Sequence, residues 1–246
     1  ACLLAERFQV DVQWRNQHDY QAPGRPIEVA DLGDRTTSFS FFRNGAVDLI
    51  VKVLDGVSIS GHYWVFYGAL SDVEYWITVT DTSSGETTSY HNPPGEICGS
   101  GDTGAIGGQF AAASVAAPPA LPTIPSTTAS IASACEADET TLCLLGGRFR
   151  VQVQWTDELG SQGTGAGRTI PDTDESGFFW FFQPDNTELA VKMLDGRGVN
   201  GNFWFFYGAL SDVAYEITVT DTLDGSSTMY SNAQGNLCGR GDTAAF

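Results

Sequence analysis

The chain is short of positive charge. Twelve Lys and Arg stand against 30 Asp and Glu, a formal net charge of −18. Nucleic acid, acidic membrane surfaces and heparin-like polymers are therefore poor partners, since each would be repelled. Histidine is scarcer still: His18, His62 and His91 all fall in the first half. A histidine-based catalytic site built into both halves is excluded. No HExxH, GxSxG, phosphate-binding loop, CxxC pair or GxGxxG ahead of a helix occurs, so the usual signals of hydrolase and nucleotide chemistry are missing. No pair of carboxylates is singled out among the many acids, and the chain reads as non-catalytic. It has no apolar run near the ~20 residues that cross a membrane as a helix. It also has no N-x-Ser/Thr sequon. Ala1 leads at once into folded-domain sequence with no initiator Met or leader, as expected of processed or excised material.

Core-forming residues, by contrast, are abundant: 42% are hydrophobic and 12% aromatic, which excludes wholesale disorder. They are arranged as one domain written twice. Cys2–Trp14 (CLLAERFQVDVQW) recurs as Cys143–Trp155 (CLLGGRFRVQVQW), and FYGALSDVEYWITVTDT at 66–82 recurs as FYGALSDVAYEITVTDT at 206–222. VKVLDG (51–56) recurs as VKMLDG (191–196), and the offset is 141 residues at the start and 140 from the middle onward. Two domains, 1–106 and 143–246, are expected around a spacer, 107–142. Period-2 alternation dominates, as in Phe8, Val10, Val12 and Trp14, and Gly-containing turns punctuate it at short intervals. About seven strands per domain and no helical period predict two tandem immunoglobulin-like antiparallel β-sandwiches.

Cys2 and Cys98 share columns with Cys143 and Cys238. The simplest pairing is Cys2–Cys98 and Cys143–Cys238, each closing almost a whole domain and worth roughly 4–5 kcal/mol in the chain-entropy model. That places the chain in an oxidising, extracellular or cell-surface setting. Cys135 is then left for another chain, a removed segment or no partner. The competing pairing, Cys135–Cys143, would leave Cys238 free.

The strands 63–67 and 203–207 pose a question, because they are aromatic on both faces. One face belongs to the sandwich core. The other, carrying Trp64, Phe66, Trp204 and Phe206, needs a cover: the spacer or a long loop, another subunit, or a ligand such as a sugar stacked on a tryptophan. The spacer is rich in Ala, Pro, Ser and Thr and could extend ~120 Å. Phe110, Val115, Leu121 and Ile124 are its apolar anchors, and it is expected to pack rather than to hang free. Lys52 and Lys192, each inside an apolar strand, are expected to snorkel or to pair with a carboxylate. The loop PDTDES (171–176) gathers Asp172, Asp174 and Glu175, hard oxygen ligands suited to a structural Ca²⁺. Leu32 stands where Asp172 does, so such a site would not be duplicated. Otherwise no cofactor is implied.

CLLGGRFRVQVQW, LAVKMLDGRGVNGNFWFFYGALSDVAYEITVTDT and the closing GDTAAF resemble a module of large secreted or surface proteins of bacteria, found in tandem or appended to other extracellular domains. The resemblance covers both repeats and implies an extracellular β-sandwich without assigned catalytic residues. The expected function is structural: a subunit of a surface or extracellular assembly such as a filament, self-associating into a homopolymer. The alternative is a carbohydrate- or ligand-binding accessory module.

Overall fold

Phe8–Arg15 alternates between buried and exposed residues from Phe8 to Trp14, the mark of a strand with one face on a core and one in water. A computed structural model describes residues 1–27, 33–43, 45–108, 134–170 and 173–246. The described chain is all-β apart from two single helical turns, Val57–Ser60 and Arg197–Asn200.

Among the described residues the strands form four five-stranded antiparallel sheets, two in each half. In the first half, one sheet runs in the order Cys2–Leu3, Phe8–Arg15, Glu74–Asp81, Thr87–Asn92, with Gln21–Pro23 also paired to Phe8–Arg15. The other runs Ser100–Gly107, His62–Ala69, Leu49–Gly56, Thr36–Ser40, Arg25–Ile27. The second half has the same two orders. Leu142–Leu144, Phe149–Thr156, Ala214–Asp221 and Ser227–Asn232 form one sheet with Gln162–Thr164; Ala166–Thr169, Ser176–Trp180, Leu189–Asp195, Phe203–Ala209 and Arg240–Asp242 form the other. Leu142, expected to end the spacer, thus opens a strand. The two- and three-residue strands are too short to carry a readable period, which is why each half holds more strands than the sequence suggests.

Within each half the sheets share one core. Phe8, Val10 and Val12 of one sheet meet Val51, Val53 and Val65 of the other. Phe149, Val151 and Val153 meet Val191, Met193 and Phe205 in the same way.

The disulfides depart from the simplest expectation. Cys98 bonds Cys238, Cys135 bonds Cys143, and Cys2 is free and exposed. Neither Cys2–Cys98 nor Cys143–Cys238 forms. The reason lies in where the halves meet: Cys98 and Cys238 face each other in an antiparallel bridge between the two halves. The segment before Leu142 folds back on its own half, and the Cys135 N–H donates to the Gly147 carbonyl at 3.1 Å. Phe110, Val115, Leu121 and Ile124 lie outside the described residues.

Candidate functional site: the interface between the halves

Thr36–Ser40 and the first five residues of Leu49–Gly56 are buried on both faces, so these strands cannot end at a sandwich surface. Their outer faces meet those of the other half. Val47, Ile50, Leu70, Ile170, Phe178, Ala190 and Leu210 form a third core that draws on both halves, with Phe206 packed against it. The other copy of the same sheet therefore covers part of the second aromatic face, with Phe206 packed on the third core; this cover was not among the three weighed from the sequence.

The contact follows a pseudo-two-fold axis. Cys98 and Cys238 occupy the same repeat column, 140 residues apart, and bond to each other. Gly68 and Gly208 share the next such column and lie backbone to backbone. A Cβ on Gly68 would stand 2.7 Å from the Ala209 oxygen, and one on Gly208 would stand 2.8 Å from the Ala69 oxygen. Gly99 N–H donates to the Leu237 carbonyl at 3.1 Å, and Gly239 N–H to the Ile97 carbonyl at 3.3 Å. Reciprocal contacts of this kind define an isologous interface, here within one chain.

Among the described residues, four charged side chains are buried in it: Lys52 is 2% exposed, Lys192 3%, Asp48 3% and Glu188 1%. Each lysine reaches across the axis. Lys192 Nζ lies 2.7 Å from Asp48 Oδ1. Lys52 Nζ donates to Asn186 Oδ1 at 2.9 Å and to the Thr187 carbonyl at 2.8 Å. The acids are held alike, with Asp48 Oδ2 accepting from the Phe41 N–H and Glu188 Oε2 from the Phe181 N–H, both at 2.7 Å. Glu188 Oε1 also accepts a short hydrogen bond from Asn186 Nδ2. Phe66 and Phe206 cap the ammonium groups, with Nζ 5.3 Å from each ring centre. Burial pushes Lys52 down from its ordinary value, an effect only partly offset by the charge of Glu188. Burial pushes Glu188 up, against the opposing pull of Lys52, the Phe181 N–H and Asn186. Both shifts favour the neutral forms.

Trp64 and Trp204 lie away from the third core. Their indoles cover Gly56 and Gly196, where a Cβ would come within 2.1 Å of the ring. Their Nε1–H groups donate to Ser60 Oγ at 2.7 Å and Asn200 Oδ1 at 2.8 Å. They anchor the helical turns.

Of the loop acids considered for Ca²⁺, Asp174 accepts from the Gly146 N–H at 2.7 Å and Glu175 pairs with Arg43 at 2.7 Å. Asp172 lies outside the described residues. Among the described residues no group of three His, Cys, Asp or Glu side chains could hold a metal ion.

A second feature belongs to the first half alone. Glu74 is buried beneath Arg15, whose Nε donates at 2.6 Å, and beneath His91, whose Nε2 lies 3.0 Å away. Burial would raise the Glu74 carboxyl, but these partners outweigh it and hold it below its ordinary value. His91 stacks on Trp76, and Arg15 lies over the same indole. An adjoining cleft of about 630 Å³ is lined by Arg15, His18, Phe42, Asp72 and Glu74. In the second half Thr156, Ala214, Glu216 and Ser231 take the places of Arg15, Glu74, Trp76 and His91.

No protein-family model, curated protein or solved structure matches the chain. The residues themselves carry the functional argument.

Sequence reasoning reached part of this site. The lysines were expected to snorkel or to pair with a carboxylate, and Lys192 pairs with Asp48. Missed was that both lysines cross to the other half. The signal was present as matched columns: Lys52 with Lys192 and Asp48 with Glu188.

Proposed function

We propose that the chain is a non-catalytic structural protein of an extracellular or cell-surface assembly, built from two immunoglobulin-like sandwiches fused into one body. The observation that carries this reading is the interface itself: a third hydrophobic core, crossed buried lysines and a disulfide between equivalent cysteines. That combination makes a stiff unit suited to oxidising surroundings. The resemblance to modules of secreted and surface proteins points the same way.

The sheet faces that build the third core are taken up inside the chain, so contacts between subunits must use other surfaces. Ile59 and Val199 occupy equivalent columns and are 76% and 79% exposed; Phe42 and Phe182 form a second such pair, also exposed. A body presenting the same apolar residues twice can join two neighbours and so extend a homopolymer. Sedimentation and electron microscopy of the concentrated protein test this. Filaments or concentration-dependent oligomers are expected, and Ile59→Asp with Val199→Asp should disperse them. A protein that stays monomeric at high concentration overturns the reading.

A second reading, ligand binding, is favoured by one observation: Trp76, His91, Arg15 and Glu74 occur together in the first half alone. An aromatic platform ringed by polar groups suits a sugar. A glycan array with Trp76→Ala as control distinguishes the two, since a purely structural role leaves no sugar affinity to lose.

A further inference from the structure

The groups around Lys52 have an arrangement whose chemistry goes beyond hydrogen bonding. A primary amine from the first half meets a carboxamide and a carboxyl group of the second where the two halves pack together. Lys52 Nζ is 2.9 Å from Asn186 Oδ1, and the amide carbon is one C=O bond, about 1.2 Å, beyond that oxygen. Asn186 Nδ2 is hydrogen-bonded to Glu188 Oε1. Lys52 and Glu188 are almost wholly buried, while Asn186 is only half-buried. Phe66 closes over the amine.

We propose that Lys52 and Asn186 condense to an isopeptide bond that cross-links the two halves, with Glu188 as the proton carrier. The neutral amine attacks Asn186 Cγ, forming the Nζ–Cγ bond. A proton from Nζ passes by way of the Glu188 carboxyl to Nδ2. The Cγ–Nδ2 bond then breaks and ammonia leaves through the half-buried edge of Asn186. One C–N bond forms and one breaks, and nothing is oxidised or reduced. The product is a secondary amide plus NH₃.

Three circumstances favour the reaction. Fixing the amine against the amide makes a bimolecular step intramolecular. Burial, which drives Lys52 toward the free amine and Glu188 toward the neutral acid, supplies the nucleophile and the transferable proton. The Thr187 carbonyl, accepting from Nζ at 2.8 Å, holds the amine in place.

The other half supplies a built-in comparison. Lys192 faces Asp48, but Ala46 stands in the column of Asn186. That site has no amide to attack and remains an ion pair.

The first measurement is the intact mass of the full chain, held folded at neutral pH and then reduced and denatured. The expected mass is one NH₃, about 17 Da, below that of the sequence. Proteolytic fragments should include one joining the Lys52 strand to the Asn186 segment. Asn186→Ala and Glu188→Gln should each restore the full mass of their sequence, whereas Lys192→Arg should retain the deficit. On a reducing gel the wild type, still looped, should run ahead of Asn186→Ala. A full-length mass for the folded wild type, or a deficit mapped to any other residue, overturns the proposal even if a variant fails to fold. The outcome is independent of whether the chain self-associates.

Discussion

Asp81 is wholly buried, yet it accepts from Arg7 Nη2 at 2.7 Å and from Ser83 N and Oγ at 2.9 and 2.6 Å. Burial would raise its carboxyl, but these donors outweigh burial and hold it well below the usual carboxylate range. The folded value thus lies below the unfolded one of about 3.9. The stabilisation is complete above that pH and is lost as pH falls through it toward the folded value. Urea unfolding at pH 7 and pH 3 should show the loss. Arg7→Ala leaves the carboxylate buried without its cation and should cost about 3 kcal/mol at pH 7. The cost should shrink on acidification, whereas a purely steric role for Arg7 would leave it unchanged with pH. Arg148 and Asp221 repeat the pair at 2.6 Å, and Arg and Asp stand in matched columns in the sequence.

Among the elements, the strands His62–Ala69 and Phe203–Ala209 decide how the halves meet. They cross where Gly68 and Gly208 let the backbones touch. Gly68→Ala brings a methyl group against a carbonyl oxygen that has nowhere to retreat, and a loss of about 1–3 kcal/mol is expected. Phe178 is fully buried in the third core, so Phe178→Ala should cost about 3–5 kcal/mol. Denaturant titrations measure both. Variants that unfold with unchanged midpoints would place these residues outside the stabilising interface. The alternation of Phe8–Arg15 was legible, because a strand with one wet face records its environment every second residue. Leu49–Gly56 was legible only as an apolar strand with Lys52 inside it. Its second partner was not, because an apolar face carries no label for what covers it.

At the scale of the whole molecule, the Cys98–Cys238 bond ties the halves together at their axis. Replacing both cysteines with serine removes a constraint across 140 residues and should cost about 2–5 kcal/mol. Thermal unfolding under non-reducing conditions checks this. The same pairing leaves one free thiol, Cys2, so thiol titration of the denatured, unreduced chain should find one of the five cysteines reactive. Three would mean that one of the two bridges does not form.

The β class, the duplication, the buried strand faces and the matched lysine and acid columns were determined by the sequence alone, because each is a local pattern or a comparison of the chain with itself. The cysteine partners, the cover over the aromatic faces and the meeting of Lys52 with Asn186 were decided by the tertiary structure. In a duplicated sequence every residue has two equivalent places to find a partner, its own half and the other. Only the packing of the halves about their axis, which sets equivalent columns face to face, selects between them.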